Sequence, residues 1–115
     1  MILRISAVFV ALAFAAGAHA STPVGNIAAG QNKAKTVCAA CHGDGNKTLD
    51  NTYPKLAGQY PDYLAKALHD YKSGKRKDPI MGAQAANLSE QDIADVTAYF
   101  GSLSGTVHDL SGHNR

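Results

Sequence analysis

The sequence predicts an all-α fold, and three observations support this prediction. Several segments combine helix caps with helical apolar spacing, the segments between them are rich in Gly, Asn, Asp and Pro, and no segment of useful length alternates apolar with polar residues. The chain also shows no internal repeat and no low-complexity tract. We therefore expect three main helices joined by long loops.

Residues 1–20, "MILRISAVFVALAFAAGAHA", have the pattern of a secretory signal peptide. Arg4 precedes an apolar run, and the small residues around His19 follow it. The run is shorter than the roughly 18 to 20 residues that a membrane-spanning helix needs. We expect cleavage near Ala20/Ser21, which leaves one exported domain over residues 21–115, with a core at about 26–103 and a polar C-terminal tail.

The composition limits what this domain can do. The 11 Lys+Arg and 9 Asp+Glu nearly balance once Arg4 is removed, so the charge gives no reason to expect a nucleic-acid partner. A domain of this size buries little apolar surface, and small exported proteins commonly add a disulfide, a metal or a cofactor. We expect a supplement of that kind here.

Residues 26–40 predict the first helix, because this run is rich in Ala and Lys, lacks proline and stops at Gly43. Residues 43–59 follow as a long loop. The second helix, "PDYLAKALHDYKSG", begins at Pro61 and ends at Gly74. Its predicted apolar face consists of Tyr63, Leu64, Ala67, Leu68 and Tyr71.

Residues 75–87 predict a second irregular loop, which contains Met81. Ser89 then caps the last helix, with Asp92 at the capping-box position. The apolar residues of that helix are Ile93, Val96, Phe100 and Leu103, and Leu88 has the spacing of a hydrophobic staple with Ile93.

The stretch "CAACHG" contains the only two cysteines of the chain, Cys38 and Cys41, followed directly by His42. A disulfide is the simplest interpretation in an exported protein, but a bridge over two residues closes a tiny loop and adds little stability. A thioredoxin-like redox pair would need βαβ crossovers, and a structural zinc site would need a second ligand pair. Cys-x-x-Cys-His is also the signature of covalent haem attachment, which we favour.

A haem iron held by His42 leaves one further axial position. Met81 is the only methionine left once Met1 is removed, and a thioether suits haem iron in electron-transfer proteins, although a lone Met is commonly a core filler. His69 is the rival ligand, but at about 100° per residue it lies nearly opposite the apolar face of its helix. His108 and His113 lie in the polar tail and are expected at the surface.

Four features of the chain resemble a bacterial class I c-type cytochrome. They are "CAACHG", "YPKLAGQY", "DPIMGAQAANLSEQDIADVTAYF" and the spacing from Gly30 to Cys38. The resemblance covers about residues 28–103. More narrowly, the chain is similar to one half of the periplasmic dihaem cytochromes, from which it departs in having one haem motif and one domain. It implies a small class I cytochrome c fold, with three main helices and long loops around one covalently bound haem c.

The same resemblance implies the role of individual residues. Cys38 and Cys41 would form the haem thioethers, and His42 and Met81 would bind the iron. The Pro54 carbonyl would accept the Nδ1 proton of His42 and so fix the orientation of the imidazole. Leu56, Tyr63, Leu68 and Ile80 would line the haem pocket, and Gly30 would let the first helix cross closely against Tyr99 or Phe100.

Two filled axial positions imply a soluble periplasmic one-electron carrier and no enzyme. Its partners would be larger respiratory redox proteins, such as a membrane quinol-oxidising complex and a terminal oxidase or reductase, with no membrane span in the mature form. A haem subunit of a larger oxidoreductase, or a haem sensor or enzyme with a labile distal ligand, is the alternative.

A basic cluster follows the second helix and consists of Lys72, Lys75, Arg76 and Lys77. Exposed cations of this kind can steer encounter with an acidic partner, and they can equally be a solvated loop. Both interpretations stay open from the sequence.

Overall fold

The structure, a computed structural model, describes residues 21–105. The predicted signal peptide, His108 and His113 lie outside the described residues. The described part contains helices α1 (Ile27–Lys33), α2 (Ala39–His42), α3 (Pro61–Lys72), α4 (Pro79–Ala86) and α5 (Glu90–Ser102), with a π-helical turn (Ala34–Cys38) between α1 and α2. No strand occurs within residues 21–105, which confirms the all-α prediction. None of the helices in this range is long and apolar enough to cross a membrane.

The first helical run reaches the cysteines as expected. Asn26 caps it, because its side chain accepts a hydrogen bond from the Ala29 amide at 2.9 Å. The run passes through the π-helical turn and ends at Gly43, whose φ of 57° lies in the region that favours glycine. A Cβ at Gly43 would also come within 1.9 Å of the Lys47 carbonyl oxygen, so the chain can turn sharply here only without a side chain.

Helix α4 corrects the prediction of an irregular segment over residues 75–87. The Asp78 carboxylate accepts hydrogen bonds from the amides of Ile80 and Met81, at 3.0 and 2.7 Å, and Pro79 occupies the first helical turn. Proline is tolerated there because its missing N–H would be unpaired anyway. The Asp-Pro pair therefore starts a helix, and the irregular part of the chain stops before it.

Helix α5 begins as predicted. The Ser89 hydroxyl accepts from the Asp92 amide at 3.0 Å, while the Asp92 carboxylate accepts from the Ser89 amide at 2.9 Å. Leu88 and Ile93, the expected staple, are both buried. This capping box fixes the direction in which α5 enters the core.

Helices α1 and α5 pack at a close crossing. A Cβ at Gly30 would lie 1.9 Å from the Asp95 carbonyl oxygen and 2.9 Å from the Tyr99 Cβ. The buried Asp95 carboxylate accepts from the Asn26 amide at 2.7 Å and from the Gln91 side chain at 2.8 Å. The expected crossing at Gly30 is confirmed, with Asp95 and Tyr99 as its partners.

Candidate functional site

A cavity of about 540 Å³ lies among the helices and the loop that follows Gly43. It falls within the range of cofactor-sized pockets. Every predicted pocket and ligand residue lines it, namely Cys38, Cys41, His42, Pro54, Leu56, Tyr63, Leu68, Ile80 and Met81. Of the predicted basic cluster, Arg76 lines the cavity and Lys72, Lys75 and Lys77 do not.

The two thiols face this cavity from one turn of helix. Cys38 and Cys41 are free and half-buried, and residues three apart on a helix project from the same side. Burial raises the pKa of the Cys38 thiol to about 11, although the nearby Lys33 ammonium opposes the shift. Burial therefore favours the neutral thiol of Cys38 over its thiolate.

The His42 ring is buried and held in one orientation. Only 7% of the residue is exposed, and Nδ1 lies 2.9 Å from the Pro54 carbonyl oxygen. A carbonyl oxygen only accepts hydrogen bonds, so Nδ1 carries the proton and Nε2 of the neutral ring carries the lone pair. The Tyr53 ring packs edge-on against the imidazole, at 6.2 Å between ring centres. The arrangement leaves Nε2 as the nitrogen that can bind a metal.

Met81 reaches the cavity from the first turn of α4. Its amide is tied to Asp78, and its side chain lines the cavity that the thiols and the imidazole also line. His69, the rival ligand, lies elsewhere: its side chain is 47% exposed and its Nε2 is 3.6 Å from a Glu90 carboxylate oxygen. The structure therefore brings Met81 to the site and leaves His69 at the surface.

These side chains fit a haem. Two thiols, an imidazole with a free lone pair and a thioether share one cavity, and the rest of its lining is largely apolar, with Leu64, Leu88, Val96 and Phe100 contributing from α3, α5 and the residue before the α5 cap. Within residues 21–105, no group of three or more His, Cys, Asp or Glu side chains is placed to hold a metal ion.

Three residues at the site were not singled out from the sequence for the roles they have. Tyr53 hydrogen-bonds the Cys41 side chain, which raises the pKa of Tyr53, and its ring also meets His42. Asp78 caps the helix that carries Met81. Arg76 was grouped with the surface lysines. Only Asp78 had a usable signal, because Asp followed by Pro is typical of a helix start.

The helical fold and the Cys-x-x-Cys-His cavity define a c-type haem protein. The Cytochrome c family model matches residues 27–104, so the chain belongs to the cytochrome c family. This membership assigns the domain one covalently attached haem c, with Cys38, Cys41 and His42 in the attachment spacing, and it assigns the domain to electron transfer.

Relatives with known names agree with this assignment. The chain is 53% identical over 91 residues to cytochrome c4 of Pseudomonas aeruginosa, and the matched region covers 78% of this chain and 43% of that protein. It is 42% identical over 81 residues to cytochrome c-554(548) of Halomonas halodenitrificans, covering 68% of this chain and 96% of that protein. It is also 39% identical over 72 residues to the cytochrome subunit of sulfide dehydrogenase of Chlorobaculum tepidum, and this match covers 62% of this chain and 64% of that protein.

A solved structure shows the same fold. Reduced recombinant cytochrome c4 from Pseudomonas stutzeri superposes with a TM-score of 0.66 at 41% identity, covering 73% of this chain and 48% of that chain. The class I cytochrome c fold and the similarity to one half of a dihaem cytochrome are confirmed. The chain spans about half of the length of the cytochrome c4 relatives it matches.

Proposed function

We propose that this chain is a periplasmic one-electron carrier and not an enzyme, with haem thioethers at Cys38 and Cys41 and iron ligation by His42 and Met81. The observation that carries this proposal is a single cavity that both thiols, the oriented imidazole and the α4 thioether all line. Haem supplies a one-electron change at its iron, and an imidazole with a thioether favours a comparatively high reduction potential.

Two contacts in the chain support the proposal that the protein carries an electron and does not act on a substrate. Pro54 fixes the proton of His42 on Nδ1, so Nε2 is the nitrogen that would bind the iron. Asp78 holds the first turn of α4, and with it the backbone of Met81. With His42 and Met81 both bound, the iron would have no free coordination position for a substrate. The largely apolar lining would lower the dielectric constant around the cofactor.

The proposed partners are larger redox proteins with acidic docking surfaces, such as a membrane quinol-oxidising complex and a terminal oxidase or reductase. Lys75 and Lys77 are exposed, as docking cations must be. Lys72 donates to the Leu88 carbonyl and lies 3.5 Å from a Glu90 oxygen, so its charge is partly committed within the chain. The docking function of the predicted cluster therefore narrows to Lys75 and Lys77.

A second candidate function is a haem subunit of a larger oxidoreductase. The similarity to a cytochrome subunit of sulfide dehydrogenase favours it, because that relative is named as part of an assembly. Copurification with a dehydrogenase in a fixed ratio would support this candidate, and isolation of the chain alone from native extracts would support the free carrier.

Spectroscopy of Met81 variants tests the proposed ligation. The oxidised protein should show a sulfur-to-iron charge-transfer band, and Met81→Ala and Met81→His should both lose it. Met81→Ala should also bind carbon monoxide when reduced, whereas Met81→His should stay six-coordinate at a lower potential, because imidazole stabilises ferric iron better than a thioether does.

Ile80→Ala is the matched control, because Ile80 is the neighbouring residue, lines the cavity and offers no ligand. It should retain the charge-transfer band. If the native protein lacks the band, or if Met81→Ala keeps it, Met81 is a packing residue and the sensor or enzyme alternative replaces the carrier.

A further inference from the structure

Helix α4, which carries Met81, is held in place by few apolar contacts. Of its eight residues only Ala85 is buried, and the next buried side chain is that of Leu88, two residues beyond the end of the helix. A Cβ at Gly82 would meet no neighbouring element within 4 Å. Segments with few buried side chains are the ones that open most readily. The polar contacts at the two ends of α4 therefore decide how firmly the helix is held.

Lys72 makes the polar contact at the C-terminal end of α4. The N-terminal end is held by the Asp78 cap. At the other end the chain turns, because the Leu88 amide donates to the Ala85 carbonyl oxygen at 3.1 Å. The Leu88 carbonyl oxygen in turn accepts from the ammonium group of Lys72, the last residue of α3, in a partly buried contact across sixteen residues of the chain.

The surroundings of Lys72 differ from those of the other lysine on the same helix. The side chain of Lys72 is 32% exposed, whereas that of Lys66 is 69% exposed. Lys66 pairs with Asp70, which lies one turn away within α3. Lys72 instead contacts the link between α4 and α5, and its Nζ also lies 3.5 Å from a Glu90 oxygen at the start of α5. It therefore connects α3 to the end of the helix that carries Met81.

Of the two contacts of Lys72, the one with the carbonyl oxygen is expected to stabilise more. A hydrogen bond from a charged donor is stronger than one between neutral groups. The Glu90 side chain is 59% exposed and lies 3.6 Å from His69 as well, and water screens an ion pair at such a place. Leu88 is only 6% exposed and lines the cavity. The contact of Lys72 with Leu88 therefore holds a part of the cavity wall.

We propose that Lys72 is a positioning residue for Met81: it holds the C-terminal end of α4 against α3 through the Leu88 carbonyl, and so slows the departure of Met81 from the iron. This inference rests on the proposed ligation. A thioether on a helix that is held at both ends has little freedom to leave the cavity, whereas a helix released at one end can move away with its side chain. Lys72 then acts within the chain and does not dock a partner.

Imidazole binding to the oxidised holoprotein measures this effect. Imidazole can take the sixth position only after Met81 has left it, so at saturating imidazole the observed rate equals the rate of Met81 release. Lys72→Met keeps the apolar stem and removes the donor. It should raise the saturating rate about tenfold, which corresponds to about 1.4 kcal/mol of lost hydrogen bonding. Lys72→Arg keeps a charged donor and should stay close to the native rate.

Three control variants separate this role from charge and from general stability. Lys66→Met removes the same charge from the same helix and should leave the saturating rate unchanged. Glu90→Gln removes the ion pair but keeps the contact with the carbonyl oxygen, so it should accelerate release less than Lys72→Met does. Gly30→Ala destabilises the crossing of α1 and α5, which does not involve α4, and should leave the saturating rate close to the native one.

Three results overturn the proposal. They are an unchanged rate in Lys72→Met, an equal acceleration in Lys66→Met or Gly30→Ala, and an acceleration in Glu90→Gln as large as that in Lys72→Met. If Lys72→Met yields no holoprotein, Lys72→Gln replaces it, and its shorter, uncharged side chain should accelerate release as well. Failure of the proposed function would be a different observation: without Met81 on the iron, the charge-transfer band would be missing, and the imidazole rate would rise linearly with concentration in the native protein and in every variant.

Discussion

Gly30→Ala tests the close crossing of helices α1 and α5. Alanine normally stabilises a helix interior by about 1 kcal/mol relative to glycine. At Gly30, however, the new methyl group would lie 1.9 Å from the Asp95 carbonyl oxygen and 2.9 Å from the Tyr99 Cβ. The first obstacle is backbone, so it cannot rotate away. Helices α1 and α5 would have to separate.

The size of the effect follows from two opposing contributions. Inserting a methylene into a packed core costs typically 1–3 kcal/mol, and a backbone obstacle at this distance places the cost at the upper end. Subtracting the gain in helix propensity of about 1 kcal/mol leaves the variant about 2 kcal/mol less stable. For a domain of this size, that lowers the midpoint of thermal unfolding by roughly 10 °C.

Gly82→Ala is the matched control. Gly82 also lies inside a helix, α4, but a Cβ there would have no heavy atom within 4 Å. This variant should be more stable by up to about 1 kcal/mol. Thermal unfolding of the oxidised holoproteins, followed by far-ultraviolet circular dichroism, compares the three chains. A Gly30→Ala protein that melts at or above the native temperature would refute the reasoning about the crossing.

Two further predictions concern charge. The Ser89 amide and then Lys33 lower the pKa of Asp92 to about 2, so Asp92 stabilises the fold above its ordinary pKa of 3.8 and loses this effect as pH falls towards 2. Replacing it in Asp92→Asn should lower the free energy of unfolding in urea by about 1 kcal/mol at pH 7. A loss that persists unchanged at pH 2 would contradict this assignment. If Lys75 and Lys77 dock an acidic partner, their joint replacement by Gln should weaken the fall of the electron-transfer rate with rising salt, since charges are screened beyond about 8 Å at 0.15 M. Lys35→Gln, an exposed cation on the first helical run, should leave that salt dependence unchanged, and an equal effect there would show that only net charge matters.

Features that depend on neighbours in the chain could be predicted from the sequence. The capping box of Ser89 and Asp92 closes over three residues, and both of its hydrogen bonds form. Cys38, Cys41 and His42 lie within five consecutive residues of the first helical run, and all three line the same cavity. Local geometry determines these contacts, and the sequence displays it directly.

The start of α4 was local as well, but two competing signals concealed it. Pro79 and Gly82 normally break helices, whereas Asp78 followed by Pro79 normally starts one. The hydrogen bonds from Ile80 and Met81 to Asp78 show that the start signal prevails. Met81 could be named from the sequence, but the capped turn that holds it was not anticipated.

The division of the basic cluster depends on contacts distant in sequence, and it could not be predicted. Lys72 binds the Leu88 carbonyl, sixteen residues along the chain, and approaches Glu90. Arg76 lies beside the cavity because it contacts Tyr63 and Tyr71, which are thirteen and five residues before it on α3. Four neighbouring cations look alike in the sequence, and packing alone gives them different roles.

The cavity and the hydrophobic core share their side chains, and this overlap explains how so small a domain can fold. The large core residues Leu64, Leu88, Val96 and Phe100 are buried and also line the cavity, whereas Ile93 is buried away from it. Each methylene removed from water contributes about 0.8 kcal/mol, so a haem packed against these side chains adds to the burial that the chain itself provides. A haem bound through Cys38 and Cys41, as proposed, would not dissociate and would act as a permanent part of the core. The residues that create the redox site are thus the residues that the fold needs for its stability, and a change at one of them is expected to alter both.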